Sequence, residues 1–255
     1  MRILVILLLF LAIPVQAAVM EGGVSKNGDV SRIVDTDTNM PVAGAKVTLP
    51  KQNYTTFSDN NGVFNLNANV KDNSVLSVEK EGYRPFSLTI NERLASQPLV
   101  LGIEKTNAHD IVISTEMFHL GDDNFSEASA NSGDFKGKSI GPFYSKTFQM
   151  ASNALSKTNY LVIGSIIGVD TLMARSMRQN SIVNSFASPP EVYFNGKKIA
   201  EIQLNGDGQR IKLPNNLLRA GQMNEITIKT GHNLKQTAYI DYDDIEFMNL
   251  SVQSE

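Results

Sequence analysis

Near the C-terminus the chain reads Y-I-D-Y-D-D-I-E-F (residues 239–247), three aspartates and a glutamate among strand-forming residues. Aspartate is a poor strand former, and like charges on a pleated ribbon repel one another. Three explanations stand: a metal site, a ligand cleft, or a charged strand edge that resists aggregation. A second acidic stretch, G-D-D-N-F at 121–125, is available to converge with the first. Calcium suits such residues, because it is a hard cation that takes roughly six to eight oxygen ligands. The alternating acids and distant glutamate of an EF-hand loop are absent.

Other chemistry finds less support. Glycoside hydrolysis needs two carboxyl groups a few ångströms apart, one held protonated. Glu116, Asp122, Asp123, Glu191, Glu201, Glu225, Asp243, Asp244 and Glu246 are all available, so carboxylates alone select nothing. G-S-I-I-G at 164–168 misses the spacing of a serine-hydrolase elbow and lies in an apolar run. His109, His119 and His232 are widely spaced, without a zinc motif or a thiol, and read as loop or surface residues. No phosphate-binding loop is present. Sugar binding would use aromatic faces with polar groups around them. The chain has no Trp, and loop context favours Tyr144 (in G-P-F-Y-S) and Phe186 (in N-S-F-A-S-P-P) over Phe143, Tyr193, Tyr239 and Tyr242. Arg175 and Arg178 read either as the polar rim of such a surface or as ordinary solvated arginines.

The elements that position these residues start after a leader. Arg2, the apolar run Ile3–Val15 and the small residues of Val15-Gln16-Ala17 form the pattern of a secretory signal peptide. The apolar run is too short for the roughly 20 residues of a spanning helix, which disfavours an uncleaved anchor. The mature chain is then expected to begin near Ala18, secreted or periplasmic, with no membrane span. There are no cysteines, so disulfides do not staple the fold. Losing Arg2 takes the formal charge from −3 to −4, which argues against a nucleic-acid partner.

Short β-branched and aromatic runs separated by Asn, Asp, Gly and Pro clusters predict an all-β chain. Strands are expected at 30–34, 45–49, 54–57, 63–66, 75–78, 86–90 and 99–103, with Ala45, Val47 and Leu49 on one face and Asn61-Gly62 as a hairpin turn. The stretches D-T-D-T-N-M-P-V-A-G-A-K-V-T-L, T-T-F-S-D-N-N-G-V-F and E-K-E-G-Y-R-P occur in that order within residues 27–103. Together they resemble the carboxypeptidase regulatory-like domain, a prealbumin-like β-sandwich. Ser58 stands where that family often has Thr. The resemblance implies a fold and a spacer or binding role, and it brings no catalytic residues.

K-T-N-A-H-D at 105–110 reads as the boundary. A second series of strands is expected at 111–117, 145–149, 160–169, 191–194, 199–204, 209–213, 225–229 and 239–247, with Asn195-Gly196 as a hairpin turn. The nearly continuous apolar run Leu161–Val169 suits a strand buried on both faces. E-V-Y-F-N-G-K-K-I-A-E-I, L-L-R-A-G-Q-M-N-E-I-T-I and Y-D-D-I-E-F-M-N-L resemble the galactose-binding-like β-jelly-roll of many carbohydrate-binding modules. In such domains the first and last strands often share a structural calcium. The resemblance therefore implies Asp122, Asp123, Asp241, Asp243 and Asp244 as calcium ligand candidates.

The expectation is two β-sandwich modules in series after a leader at 1–17, a regulatory-like sandwich at 18–104 and a jelly-roll at 105–255. The jelly-roll would bind carbohydrate or another extracellular ligand without catalysis. The alternatives are an adhesive module with an extracellular protein partner, and a small carboxylate-based hydrolase.

Overall fold

The computed structural model describes residues 30–123, 135, 137–179 and 186–255. The expected leader (1–17), residues 27–29 of the first resemblance, Asn124 and Phe125 of the acidic stretch, and Asn180 lie outside the described residues.

The first series forms seven strands: β1 (Ser31–Asp35), β2 (Lys46–Leu49), β3 (Tyr54–Phe57), β4 (Val63–Phe64), β5 (Ser74–Glu79), β6 (Phe86–Ile90) and β7 (Val100–Ile103). A short helix, α1 (Glu92–Ala95), precedes β7 and is N-capped by the Asn91 side chain. One sheet has the order β4-β1-β7, with β1 and β7 parallel, and the other is an antiparallel β3-β2-β5-β6. Ala45, Val47 and Leu49 are fully buried between the sheets with Ile33, Leu76 and Ile90.

The motif residues knit this sandwich. Asp35 Oδ1 accepts from the N–H groups of Asp37 and Thr38, and its Oδ2 accepts from Tyr83 OH in the G-Y-R-P turn at 3.1 Å. The hydroxyl of Ser58 accepts from Ala45 N–H and donates to the Val42 carbonyl. A threonine hydroxyl supplies the same two bonds, which accounts for Ser58 serving there. The Asn61-Gly62 turn is not the expected hairpin. Asp59 closes the loop by accepting from Asn61 and Val63 N–H, but β3 pairs with β2 while β4 pairs with β1 in the opposite sheet. The turn therefore switches sheets. Gly62 has φ +71°, and a Cβ there would collide with the Ile33 carbonyl.

The boundary segment is pinned. Arg84 pairs with Glu104 at 2.5 Å and with Asp110 at 2.7 Å, and Asn107 Nδ2 donates to the Ser254 carbonyl.

The second series forms β8 (Ile111–Leu120), β9 (Phe143–Gln149), β10 (Asn159–Ile167), helix α2 (Leu172–Ser176), β11 (Glu191–Phe194), β12 (Lys197–Glu201), β13 (Gly206–Lys212), β14 (Met223–Lys229) and β15 (Ile245–Ser254). Two antiparallel sheets result, β13-β10-β15-β8 and β12-β11-β14-β9. Their shared core includes Leu161, Ile163, Val192, Phe194, Ile226, Ile228, Phe247 and Leu250. The expected Asn195-Gly196 hairpin joins β11 to β12, with φ +49° and +77°.

The last strand differs from expectation. It begins at Ile245, so Tyr239–Asp244 is loop and the aspartates precede the ladder rather than ride on it. Poor strand propensity and mutual repulsion account for the later start. Ile245 and Phe247 are fully buried, as their shared parity requires.

The two modules pack sheet against sheet, which explains why β10 is buried on both faces. Ser165 Oγ donates to Asp207 Oδ1 and lies 3.0 Å from Ser87 Oγ, from which it accepts, Asp207 accepts from Thr89 N–H and Oγ1, and Asn249 Nδ2 donates to Ser77 Oγ and the Phe86 carbonyl. Val75, Met248, Ile167 and Phe135 form a small apolar cluster beside these bonds. A Cβ on Gly164 would lie 2.5 Å from Ser87 Oγ, so glycine is required for this approach.

Candidate functional site

The two acidic stretches meet. Asp122 Oδ2 accepts from Tyr242 N–H at 3.0 Å, and Asp123 N–H donates to Asp244 Oδ1 at 3.3 Å. Gly121 lets this happen, because a Cβ there would occupy the position of the Asp244 carboxylate. Five carboxylates are buried around the start of β15: Asp170, Asp241, Asp243, Asp244 and Glu246, each 6 % exposed or less. Asp241 Oδ2 accepts from Asn233 Nδ2 at 3.0 Å. Of the five residues expected as ligands, Asp241, Asp243 and Asp244 are in this buried cluster, Asp123 is half-buried at its edge, and Asp122 is exposed and ties down the loop.

Two participants escaped the sequence reading. Asp170 follows the apolar strand β10 and raises the pKa of Asp243 by its field. His119, expected on a loop or the surface, is buried on β8 instead. Its Nδ1 lies 2.6 Å from the Gly137 carbonyl and its Nε2 lies 2.8 Å from Asp244 Oδ1. Two acceptors facing both nitrogens call for two N–H donors, which is the imidazolium form. Burial alone would lower the His119 pKa, but the bonds to Asp244 and Gly137 and the charges of Asp244 and Glu246 carry it above its ordinary value. His119 thus supplies one buried positive charge to the cluster. His119, Asp123 and Asp244 also bring their ligand atoms within 4.8 Å of one another, but with both nitrogens engaged the imidazole offers no lone pair.

Asp243 faces other carboxylates. Burial, followed by the charge of Asp170 and those of Asp244 and Asp241, pushes the Asp243 pKa well up, and a bond from the Asp170 main chain only partly opposes this. Asp243 Oδ2 is buried without a hydrogen-bond partner among the described residues. Buried charges are expensive unless paired or bound to metal. An oxygen-only donor set with an orphaned buried oxygen fits a hard cation such as calcium.

Next to the cluster lies a cleft of about 430 Å³ on the outer face of the β9–β14–β11 sheet, lined by Pro142, Phe143, Tyr193, Gly196, Thr227, Lys229 and Tyr242. Tyr193 OH donates to Glu191 Oε2 at 2.6 Å, which fixes the ring, and Lys198 pairs with the other Glu191 oxygen. These two bonds lower the Glu191 pKa, and the same carboxylate raises that of Tyr193. Tyr242 reaches the cleft from the loop that Asp122 holds.

The expected stacking residues fare differently. Tyr144 is not on a loop: it faces the core from β9, 7 % exposed, with its ring 4.3 Å from Phe118 and 5.6 Å from Phe247 between centroids. Its neighbour Phe143 points outward because successive strand residues alternate faces. Phe186 is half-buried and carries two cations against its ring, with Arg175 Cζ at 4.2 Å and Lys235 Nζ at 4.3 Å from its centroid. Arg178, exposed beyond the end of α2, adopts φ +58° and makes no ion pair among the described residues. The structure brings Arg175 and Phe186 together but not into the aromatic cleft.

Comparison with known proteins places the first module. Residues 31–113 match the family model of the CarboxypepD_reg-like domain. No curated protein matches the chain. Among solved structures, a Bacteroides fragilis chain provisionally described as a beta-galactosidase is 16% identical, with a TM-score of 0.29. That match covers 56% of this chain and only 23% of that one. A Bacteroides fragilis protein of unknown function, provisionally described as membrane-associated, is 13% identical with a TM-score of 0.23, over 89% of this chain and 96% of its own. At such scores neither likeness carries an argument. Among the described residues, no helix is long and apolar enough to cross a membrane.

Proposed function

We propose that the chain is a secreted, non-catalytic binding protein whose second sandwich holds carbohydrate in the cleft of Phe143, Tyr193 and Tyr242. The observation that carries this reading is the grouping of three aromatic side chains from β9, β11 and the 239–244 loop around one apolar cleft. Aromatic faces match the C–H face of a pyranose, while Lys229 and Thr227, whose hydroxyl also shares a hydrogen bond with Ser145 Oγ at 2.6 Å, line the cleft where its hydroxyls would lie. The β-strand origin of Phe143 and Tyr193 preorganises two of the rings. The first module acts as a fixed platform, in keeping with its regulatory-like family and its polar joint to the second.

Calcium belongs to the same proposal. Asp170, Asp241, Asp243 and Asp244 would hold it, and the bound ion would meet Asp243 Oδ2, which is buried without a hydrogen-bond partner among the described residues. Those residues sit at the root of the loop carrying Tyr242, so the ion would stabilise one wall of the cleft. A glycan array tests the proposal. Binding to one or more neutral saccharides, weakened about tenfold or more in Tyr193→Ala with an unchanged melting curve, supports it. An array without any bound glycan in the presence of calcium contradicts it.

A further inference from the structure

Asn-Gly pairs stand at 27–28, 61–62, 195–196 and 205–206, and the first lies outside the described residues. Each pair holds a latent reaction, because a glycine nitrogen with no Cβ beside it can approach the carboxamide carbon of the preceding asparagine. The structure separates the other three. Asn195 Nδ2 donates to the Leu217 carbonyl and to Asn224 Oδ1, while its Oδ1 accepts from Glu225 N–H. Asn205 is clasped likewise, its Oδ1 accepting from Val169 N–H at 2.7 Å and its Nδ2 donating to the Val169 carbonyl at 3.1 Å. Neither carboxamide can turn toward its glycine without breaking these bonds. Asn61 is exposed, and its carboxamide makes no hydrogen bond among the described residues.

The main chain around Asn61 is fastened instead. Asp59 Oδ1 accepts from the N–H groups of Asn61 and Val63, and the Asp59 carbonyl accepts from Gly62 N–H at 2.9 Å. The Gly62 carbonyl in turn accepts from Ile33 N–H of β1 at 2.8 Å. Attack by the Gly62 nitrogen therefore needs only a local opening of this exposed turn.

We infer that Asn61 is a site of spontaneous deamidation to isoaspartate, and that the change unfastens the sheet switch of the first module. The Gly62 nitrogen gives its proton to solvent and bonds to Asn61 Cγ, while the Cγ–Nδ2 bond breaks and ammonia leaves. The product is a five-membered imide. One water opens that ring, at Cγ to give aspartate or at the main-chain carbonyl carbon to give isoaspartate. Isoaspartate places an extra methylene in the main chain before Gly62. Gly62 has no slack to accept it, since its φ is +71° and a Cβ there would collide with the Ile33 carbonyl. The inference does not depend on the carbohydrate reading.

Ageing the full chain in mildly alkaline buffer tests it, with peptide mapping and fragmentation that separates Asn60 from Asn61. Asn61 loses ammonia about tenfold or more faster than Asn195 or Asn205, which must first release two or three hydrogen bonds. Isoaspartate is among the products. Aged wild-type protein melts earlier than fresh protein, and earlier than the aged Asn61→Gln variant, altered only at an exposed position. Asn61 remaining intact, or Asn195 or Asn205 reacting as fast, overturns the assignment. Aspartate without isoaspartate overturns the imide route. An unchanged melt with isoaspartate at Asn61 overturns the effect on the sheet switch.

Discussion

Asp122 Oδ2 accepts a hydrogen bond from the main-chain N–H of Tyr242, 120 residues further along the chain, at 3.0 Å. That bond joins the buried carboxylates to the aromatic cleft, because Tyr242 sits between Asp241 and Asp243 and also lines the cleft. Asp122→Ala is expected to cost about 1 kcal/mol of stability and to weaken glycan binding without abolishing it. Denaturant unfolding and saccharide titration on the same variant measure both. Binding unchanged beside a lost hydrogen bond would separate the loop from the cleft.

The Asp170–Asp243 pair gives a prediction with opposite signs in two conditions. Without an ion, Asp243→Asn removes one of several crowded buried carboxylates and raises stability by about 1–2 kcal/mol. With calcium, the wild-type protein gains stability according to ion concentration over Kd, and the variant gains little. Melting curves in chelator and in calcium read both signs. A wild-type melt indifferent to calcium rules out the structural ion.

Asp35 sets an acid limit for the first module. Its bond from Thr38 N–H, with smaller help from the Thr38 and Tyr83 hydroxyls and Lys105, outweighs burial and holds the carboxyl well below its ordinary value of 3.8. A depressed folded-state pKa stabilises above the unfolded value, and that stability is lost as pH falls below it. Denaturant midpoints should therefore drop as pH falls from about 5 through 3.8, and Asp35→Asn should be weaker at pH 7 with a shallower acid limb. An identical acid limb in the variant would assign the effect to another group.

The joint between modules rests on Asp207, whose carboxylate accepts from Thr89 N–H, Thr89 Oγ1 and Ser165 Oγ. Asp207→Ala leaves those donors without their acceptor and should cost about 2–3 kcal/mol. Gly164→Ala should cost a similar amount by forcing Ser87 and Asn249 away. Calorimetry is expected to show one transition in the wild type and two in either variant. A single unshifted transition would mean that the contact contributes nothing.

How much of this was legible in the sequence depends on whether neighbours in space are neighbours in the chain. The alternating strand β2, the Asn195-Gly196 hairpin and the three ordered stretches of the first module are local, and the structure bears them out. Convergence of 121–125 with 241–244 is expected, and residues 121–123 do meet the second stretch, but the cluster's full membership is not foreseen. Asp170 stands alone after an apolar strand, and His119 is a lone histidine whose two acceptors are Gly137 and Asp244. Nothing local marks either. The cleft escapes through parity: a strand expected at 145–149 puts Tyr144 on a loop, whereas a strand from 143 turns Tyr144 inward and Phe143 outward. Its other rings come from residues 193 and 242, and no sequence window contains all three. The sheet switch at Asn61-Gly62 is missed for a related reason, since a tight turn fixes local direction but not which sheet the next strand joins.

Affinity electrophoresis through gels containing neutral polysaccharides, in calcium, reads carbohydrate binding by the cleft without a label or a tag. The wild-type protein is expected to be retarded by at least one polysaccharide. That retardation is expected to be lost in Phe143→Ala/Tyr193→Ala, with an unchanged melting temperature because both side chains stand on the outer face of their sheet. Free migration of the wild type in every gel, or retardation undiminished in the double variant, would contradict binding by the cleft.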